Sequence, residues 1–316
     1  KKQEIIVALG GKILTWYNNQ WLEGNTPIIG AADHAAWLGS TVFDGARQFE
    51  GVRPDMMLNC QRIIYSAEAF GMTPPVSAEN IFNICEEGCA MFKANAVLYI
   101  RPMMWSNQGS PGIIDIMPES TGFSVCIEEL PMPEVGSFAL TTSPFRRPRQ
   151  DMALTSAKAG SLYANNGRIM ADARARGFNN ALSLDIDNYV AETASTNVFT
   201  VKDGEVFTPI PNGTFLNGLN RQRIIKLLKA DGIKVHELPM IIKDFKDADE
   251  IFCTGNIAKV MPVQRFEDKE MKSTKLSNHA RELYWDFALS KYSGAQRGGP
   301  VQPAEPLGRP LRLLPR

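Results

Sequence analysis

The chain has 316 residues, of which 44% are hydrophobic and 22% charged, the balance of an ordinary globular protein with room for two domains. Lys plus Arg number 34 and so do Asp plus Glu, so zero formal charge gives no reason to expect a nucleic acid or a membrane surface as partner. No stretch approaches the roughly 18 apolar residues of a membrane span, and no signal-peptide pattern opens the chain, so the expected setting is cytoplasmic.

In chain order, EIIVAL and KILTWY read as strands, and NTPIIGAADHAAWLGSTVFDG as a loop leading into a short apolar segment. NCQRIIYSAEAFGM predicts a helix, with Ile63, Ile64, Ala67 and Phe70 at 3-4 spacing and Gly71 as its stop. SAENIFNICEEGCAMFKANA predicts a second, capped by Ser77. AVLYIRPMMW is a β-prone run ending in the loop SNQGSPG, and GFSVCIEE is a further strand. LPMPEVGS, with two prolines and little periodicity, is the best linker candidate. Beyond it FALTTS, NALSLDI, NVFTVKD, EVFTPI, GIKVHEL, ADEIFCTG and KVMPVQRF read as strands, alternating with helices near 160–176, 220–231 and 276–291.

That order predicts an α/β (α+β) protein: a small N-terminal α/β domain over 1–129, a linker over 130–137 and a larger domain over 138–292. The larger one is built on a mixed sheet, with barrel closure as one arrangement. The tail 293–316 holds four Arg, five Pro, four Gly and one acid, and reads as disordered or as a remnant of cloning. A start at Lys-Lys suggests numbering that begins inside the natural protein. The five cysteines are odd in number and lack zinc-type spacing. Cys85 and Cys89 share a helix face and read as buried packing thiols, with a redox pair as the alternative. Three scattered histidines make a metal site improbable.

Four stretches carry chemistry. In TSAKAGSLYANN, Lys158 sits among small residues, with Tyr163 about one helical turn on. A lysine kept from water is a nucleophile and a base, whereas a loose loop would leave it solvated, and the stretch alone allows both. In FLNGLNRQRIIKLLK, Gly218 precedes an amphipathic helix for which Asn220 is the expected N-cap; its start is an anion pocket, although ordinary helices start the same way. Arg62, beside Ile63 and Ile64, is either a surface arginine or one that reaches inward to a phosphate. Glu192, a lone acid in YVAETASTNVFTV, is either a turn cap or a carboxylate beside a pyridine nitrogen. The basic run PFRRPRQ reads as a solvated loop, or as an entrance that attracts anions.

With TVFDGARQF, NCQRIIYSA, YIRP, SAKAGSLYANN, ETASTNVF, NGLNRQRII and TGNIAKVMPV in this order over about 5–290, the chain resembles the class IV (fold type IV) pyridoxal-phosphate aminotransferases, most of all those acting on branched-chain amino acids. The resemblance implies pyridoxal 5'-phosphate as cofactor, a small α/β domain, a larger barrel-like domain, and a homodimer with its site at the interface. It implies that Lys158 bonds the cofactor aldehyde and shuttles the proton, that Tyr163 meets the ring hydroxyl, and that Glu192 pairs with the ring nitrogen. Arg62, the N–H groups of Leu219 and Asn220, and Asn256 are implied to hold the phosphate.

Substrate choice is implied to rest on Phe43, Gly45, Arg47, Tyr99, Arg101 and the loop holding Ile257 and Ala258, with Arg101 gripping a carboxylate. Leu38 stands where the branched-chain enzymes commonly have a tyrosine. TGNIAKVMPV replaces the usual Gly-Thr-Ala-Ala run, so Asn256 stands for a threonine and Ile257 for an alanine. The implied reaction moves an amino group from a hydrophobic, branched-chain-like amino acid to a 2-oxo acid. The alternatives are an (R)-selective amine:pyruvate transaminase, a D-amino acid transaminase and aminodeoxychorismate lyase, and from another class a catalytically inactive binding relative.

Overall fold

The computed structural model describes residues 11–292. The strand expected at EIIVAL and the tail from Ser293 lie outside the described residues. The chain divides into two compact units at Met132/Pro133, inside LPMPEVGS.

In the first unit, β1 (Ile13–Tyr17), β2 (Gln20–Glu23), β3 (Thr41–Phe43), β4 (Ala46–Gln48), β5 (Leu98–Ser106) and β6 (Thr121–Glu129) form an antiparallel sheet. Its order is β2-β1-β6-β5-β3, with β4 also on β5. The stretch expected as a loop from Asn25 also contains a five-residue helix, α1 (His34–Leu38), whose C-cap Gly39 is left-handed.

β3 and β4 pair with β5 in one unshifted register, Phe43 opposite Met103 and Ala46 opposite Ile100. They are one strand whose ladder breaks at Asp44–Gly45, where Pro102 on β5 has no N–H to give. One face of the sheet packs Leu14, Val42, Ala46, Leu98, Ile100, Met104, Val125 and Ile127 against α2 (Met56–Phe70) and α3 (Ala78–Ala90). Gly71 ends α2 with φ 92, and the Ser77 side chain accepts from the Asn80 N–H at the start of α3, as expected.

The second unit holds β7 (Ala139–Thr142), a 3₁₀ turn (Gly160–Leu162), α4 (Tyr163–Ala175), β8 (Asn180–Leu184), β9 (Val190–Thr193), β10 (Asn197–Lys202), β11 (Glu205–Pro209) and α5 (Leu219–Ala230). β12 (Val235–Leu238), α6 (Ile242–Asp247), β13 (Glu250–Gly255), β14 (Lys259–Val263), β15 (Arg265–Phe266), β16 (Lys269–Glu270) and α7 (Lys275–Tyr292) follow. α6 was not expected; at six residues it is too short for a periodic signal.

The strands form two sheets, β12-β11-β10-β13-β14 and β16-β15-β7-β8-β9. The barrel-like enclosure is therefore two sheets around one core and not a single closed ladder. The chain changes sheet at the turn Ala194–Thr196, where the Thr193 N–H donates to the Thr196 carbonyl at 2.9 Å. Leu140, Leu182 and Val190 from one sheet and Val198, Ile251 and Val263 from the other share that core with Phe245 of α6.

Candidate active site

In the second unit the turn over 155–158 ends at Lys158, one residue before the 3₁₀ turn that leads into α4. Its neighbours Ala157 and Ala159 are buried and Lys158 is half-buried. The 3₁₀ turn brings round Tyr163, the first residue of α4, so that Lys158 Nζ donates to Tyr163 Oη at 2.6 Å. The loose, solvated lysine is thereby set aside.

Glu192 is not a turn acid. It sits within β9 and is buried. Its Oε1 lies 3.1 Å from Arg147 Nη2, and its Oε2 accepts from Asn197 Nδ2 at 3.3 Å. Burial pushes the carboxyl above its usual range, and the positive charges of Arg147 and Lys158 only partly oppose that. The site therefore favours a further positively charged partner for Glu192.

Arg147 is itself buried and not part of a solvated loop or an entrance. Its N–H donates to the Leu184 carbonyl at the end of β8, which draws this one residue of PFRRPRQ inward. Its guanidinium also donates to Asn166 Oδ1 at 2.7 Å and to the Thr214 carbonyl at 3.2 Å.

Asn197, the first residue of β10, ties Glu192 to the start of α5. Nδ2 also donates to the Leu216 carbonyl at 3.0 Å, and Oδ1 accepts from the Gly218 N–H at 3.1 Å. A Cβ at 218 would stand 2.3 Å from Asn197 Oδ1, so any other residue there would displace the Asn197 amide. Gly218 and not Asn220 is the N-cap of α5, since it carries the extended backbone a cap requires (φ −62, ψ 144). Leu219 and Asn220 are both buried, and helix geometry leaves the N–H groups of Leu219, Asn220 and Arg221 without an intrahelical carbonyl. The Asn220 side chain accepts from Tyr284 Oη at 3.3 Å.

Asn197 lies opposite Thr254 on β13. Among the described residues, the buried Thr254 Oγ1 and Asn256 Nδ2 have no hydrogen-bond partner. Asn256 opens the turn between β13 and β14, Ile257 stands exposed at its tip, and Ala258 is half-buried.

In the first unit, Phe43, Arg47, Tyr99 and Arg101 share the sheet face opposite the helix-packed one. Arg47 is paired across the strands with Tyr99, and Tyr99 with Glu128. Arg47 is fully buried; Nη2 donates to the Leu130 carbonyl at 2.5 Å, whereas Nε and Nη1 have no partner among the described residues. Burial brings its pKa down to about 10. Arg101 Nη1 stands 3.4 Å from Glu128 Oε1, with the guanidinium 5.2 Å from the Tyr99 ring centroid. At the break in the β3–β4 ladder, Asp44 accepts from the Gly45 N–H and is gripped by both Nε (2.7 Å) and Nη2 (2.9 Å) of Arg62, which points inward from α2. Leu38 is the last residue of α1 and half-buried.

The family model for amino-transferase class IV matches residues 41–266. The chain belongs to the class IV aminotransferases. It is 28% identical to the branched-chain-amino-acid aminotransferase of Escherichia coli over 261 residues, 79% of this chain and 83% of that one. It is 27% identical to a probable branched-chain-amino-acid aminotransferase of Rickettsia bellii, over 80% of this chain and 86% of that one. Among solved structures it is similar to an aminotransferase from Brucella abortus bound to the cofactor PLP, with a TM-score of 0.86 and 47% identity over 88% of this chain and 99% of that one. The branched-chain aminotransferase of Thermoproteus uzoniensis, at 23% identity, shares the fold with a TM-score of 0.81 over 89% of this chain and 96% of that one.

Class IV aminotransferases transfer amino groups with pyridoxal phosphate, and the second unit fits that cofactor. Lys158 and Tyr163 offer an amine and a phenol side by side, and Glu192 is a buried acid in want of a cation. The N–H groups at the start of α5 and the unpartnered Asn256 amide are donors suited to a phosphate ester. Arg147, Asn197 and Lys259 escaped the sequence reading. Arg147 shares a basic run with Arg146, which is exposed, and nothing in that run separates the two. Among the described residues no group of three or more His, Cys, Asp or Glu is placed to hold a metal, and no helix is long and apolar enough to cross a membrane.

Proposed function

We propose that this class IV aminotransferase takes its amino group from hydrophobic, branched-chain-like L-amino acids and passes it to 2-oxo acids, with Lys158 as its catalytic residue. The observation that carries the reading is that the second unit holds both the Lys158–Tyr163 pair, whose charge acts on Glu192, and a hydrogen-bonded chain from Arg147 through Glu192 and Asn197 to the start of α5. Pyridoxal phosphate, when bound, supplies an aldehyde to capture the amino group and a ring to hold the electrons left at the α-carbon.

With the cofactor bound, Lys158 Nζ would take the proton from that α-carbon and give it up at the carbon that had been the cofactor's aldehyde, and the Tyr163 hydroxyl would keep the amine oriented between the two transfers. Glu192 holds a proton at the ring nitrogen, while Arg147 and Asn197 fix the carboxylate. The N–H groups of Leu219 and Asn220 and the Asn256 amide bind the phosphate.

Arg47 and Arg101, on one sheet face with Tyr99 and Phe43, select donors and acceptors that carry a carboxylate. A buried guanidinium with two nitrogens unpartnered among the described residues is a costly feature in a protein for carboxylate-free amines, which weighs against the (R)-amine reading. Gly45 and Leu38 in the first unit, and Ile257 and Ala258 in the second, are the residues we assign to side-chain choice.

The working species is a homodimer; the exposed Ile113 and Ile114 of the loop before β6 support an apolar contact. Five free, buried cysteines support a reducing cytoplasm.

The test is to mix holoenzyme separately with L-leucine, D-alanine and (R)-1-phenylethylamine and to follow the near-visible absorbance of the cofactor. L-Leucine should bleach it, and Lys158→Ala should respond to none of the three. Bleaching by the chiral amine alone would overturn the donor assignment.

A further inference from the structure

Lys259 is 2% exposed, and its backbone is left-handed at φ 62. Gly255 pairs with Lys259 across the β13–β14 hairpin, leaving Asn256, Ile257 and Ala258 as a three-residue loop. The residue that closes such a loop takes a left-handed backbone and is normally glycine, which adopts it without strain. A lysine there carries backbone strain and brings an ammonium out of water, two costs that packing alone does not explain.

Its side chain shows what offsets them. Lys259 Nζ donates to Asn256 Oδ1 at 2.7 Å. An ammonium can only donate, so it fixes which end of the Asn256 amide is which: oxygen toward Lys259, NH₂ away from it. That NH₂ is the buried group without a partner among the described residues. The support behind the loop is rigid. Arg281 of α7 donates to the carbonyls of Ala258 and Val260, both at 3.1 Å, on either side of Lys259. The ring of Tyr284, fully buried on the same helix, lies 5.9 Å from Lys259 Nζ, and its hydroxyl reaches Asn220 at the start of α5.

We propose that Lys259 is a positioning residue that turns the Asn256 amide into a fixed donor for the cofactor phosphate, and that it does not itself touch the phosphate. The proposal rests on the reading of Asn256 and α5 as the phosphate site.

The test compares pyridoxal 5'-phosphate with pyridoxal, which lacks the phosphate, by measuring the dissociation constant of each with the full chain freed of cofactor. Lys259→Gly relieves the left-handed strain and so keeps the fold. It should weaken binding of pyridoxal phosphate roughly tenfold, the value of one well-made hydrogen bond to a charged group, and leave pyridoxal binding unchanged. Asn256→Ala should give the same selective loss, and the double variant should add little to it.

Wild-type affinity for pyridoxal phosphate in Lys259→Gly, or equal losses for both ligands, overturns the positioning role. If Asn256→Ala alone shows the selective loss, only the part given to Lys259 falls. If neither variant does, the phosphate site at Asn256 falls with it.

Discussion

Asn197→Ala is the sharpest test of the network that joins Glu192 to the start of α5. The substitution removes one donor from the Glu192 carboxylate, one from the Leu216 carbonyl and one acceptor from the Gly218 N–H. Gly218 and Leu216 are half-buried, so water replaces much of what they lose, whereas Glu192 is buried and loses more. Taking roughly 0.5–1 kcal/mol for each of the two backbone groups and 1–2 kcal/mol at the carboxylate, the cost is about 2–4 kcal/mol. For a unit of this size that lowers the Tm by about 4–16 °C, short of unfolding it.

Differential scanning calorimetry reads the stability, and cofactor titration reads the site. Affinity for pyridoxal phosphate should fall by roughly tenfold or more, because the cradle and the acid both lose their anchor. Asn197→Asp separates the two halves. It keeps an acceptor for Gly218 but sets a second carboxylate against Glu192 Oε2, so it should harm cofactor binding more than Tm. A Tm within about 2 °C of wild type and unaltered cofactor affinity in Asn197→Ala would refute the argument.

Arg101→Ala should slow transfer to a 2-oxo acid far more than transfer from an amine without a carboxylate, measured as kcat/KM for each; equal losses would remove Arg101 from carboxylate recognition. The Asp249 carboxyl is pulled down to about 2 by hydrogen bonds from Lys272, the Asp203 N–H and Lys202. A lowered native pKa adds stability above the ordinary value near 4, and that share is lost as pH falls through about 2. Asp249→Asn should therefore cost at most about 1 kcal/mol at pH 7 after solvent screening, a difference that closes by about pH 2 in urea titrations. Burial pushes the thiols of Cys89 and Cys253 up to about 12, and all five cysteines are free and buried. Native protein at pH 8 should resist iodoacetamide, and denatured protein should take up five labels by mass spectrometry; rapid native labelling of Cys85 or Cys89 would favour a redox role.

The elements with strong local signals were legible in the sequence. The Ser77 cap, the Gly71 stop and the alternation along β5 each depend on neighbours a few residues away. Elements decided by distant partners were not. β3 and β4 are split by Pro102 on another strand, and α6 is too short for its period to register. The N-cap of α5 went to Gly218 because Asn197, 21 residues earlier, supplies the acceptor for its N–H. Lys158, Tyr163, Glu192 and Arg62 stood out through a resemblance built on whole motifs. Arg147 and Asn197, which hold Glu192, look unremarkable in sequence because their roles exist only once β8, β9 and β10 are assembled.

The Arg147–Glu192 pair shows why such residues matter more to chemistry than to stability. Removing both charges from water is costly, and apolar residues of similar volume would commonly hold a fold as well. Breaking only one half of the pair is another matter, because it strands a charge in the interior. Arg147 meets only one oxygen of Glu192, and Asn197 meets the other through a long bond of 3.3 Å. Burial keeps the carboxyl above its usual range against the charges of Arg147 and Lys158, and a protonated ring nitrogen is the partner that would bring it down. The carboxylate is held in place yet incompletely satisfied. The second unit is therefore most stable when the cofactor is present, and loss of Arg147 should be felt first in the hold on the ring nitrogen.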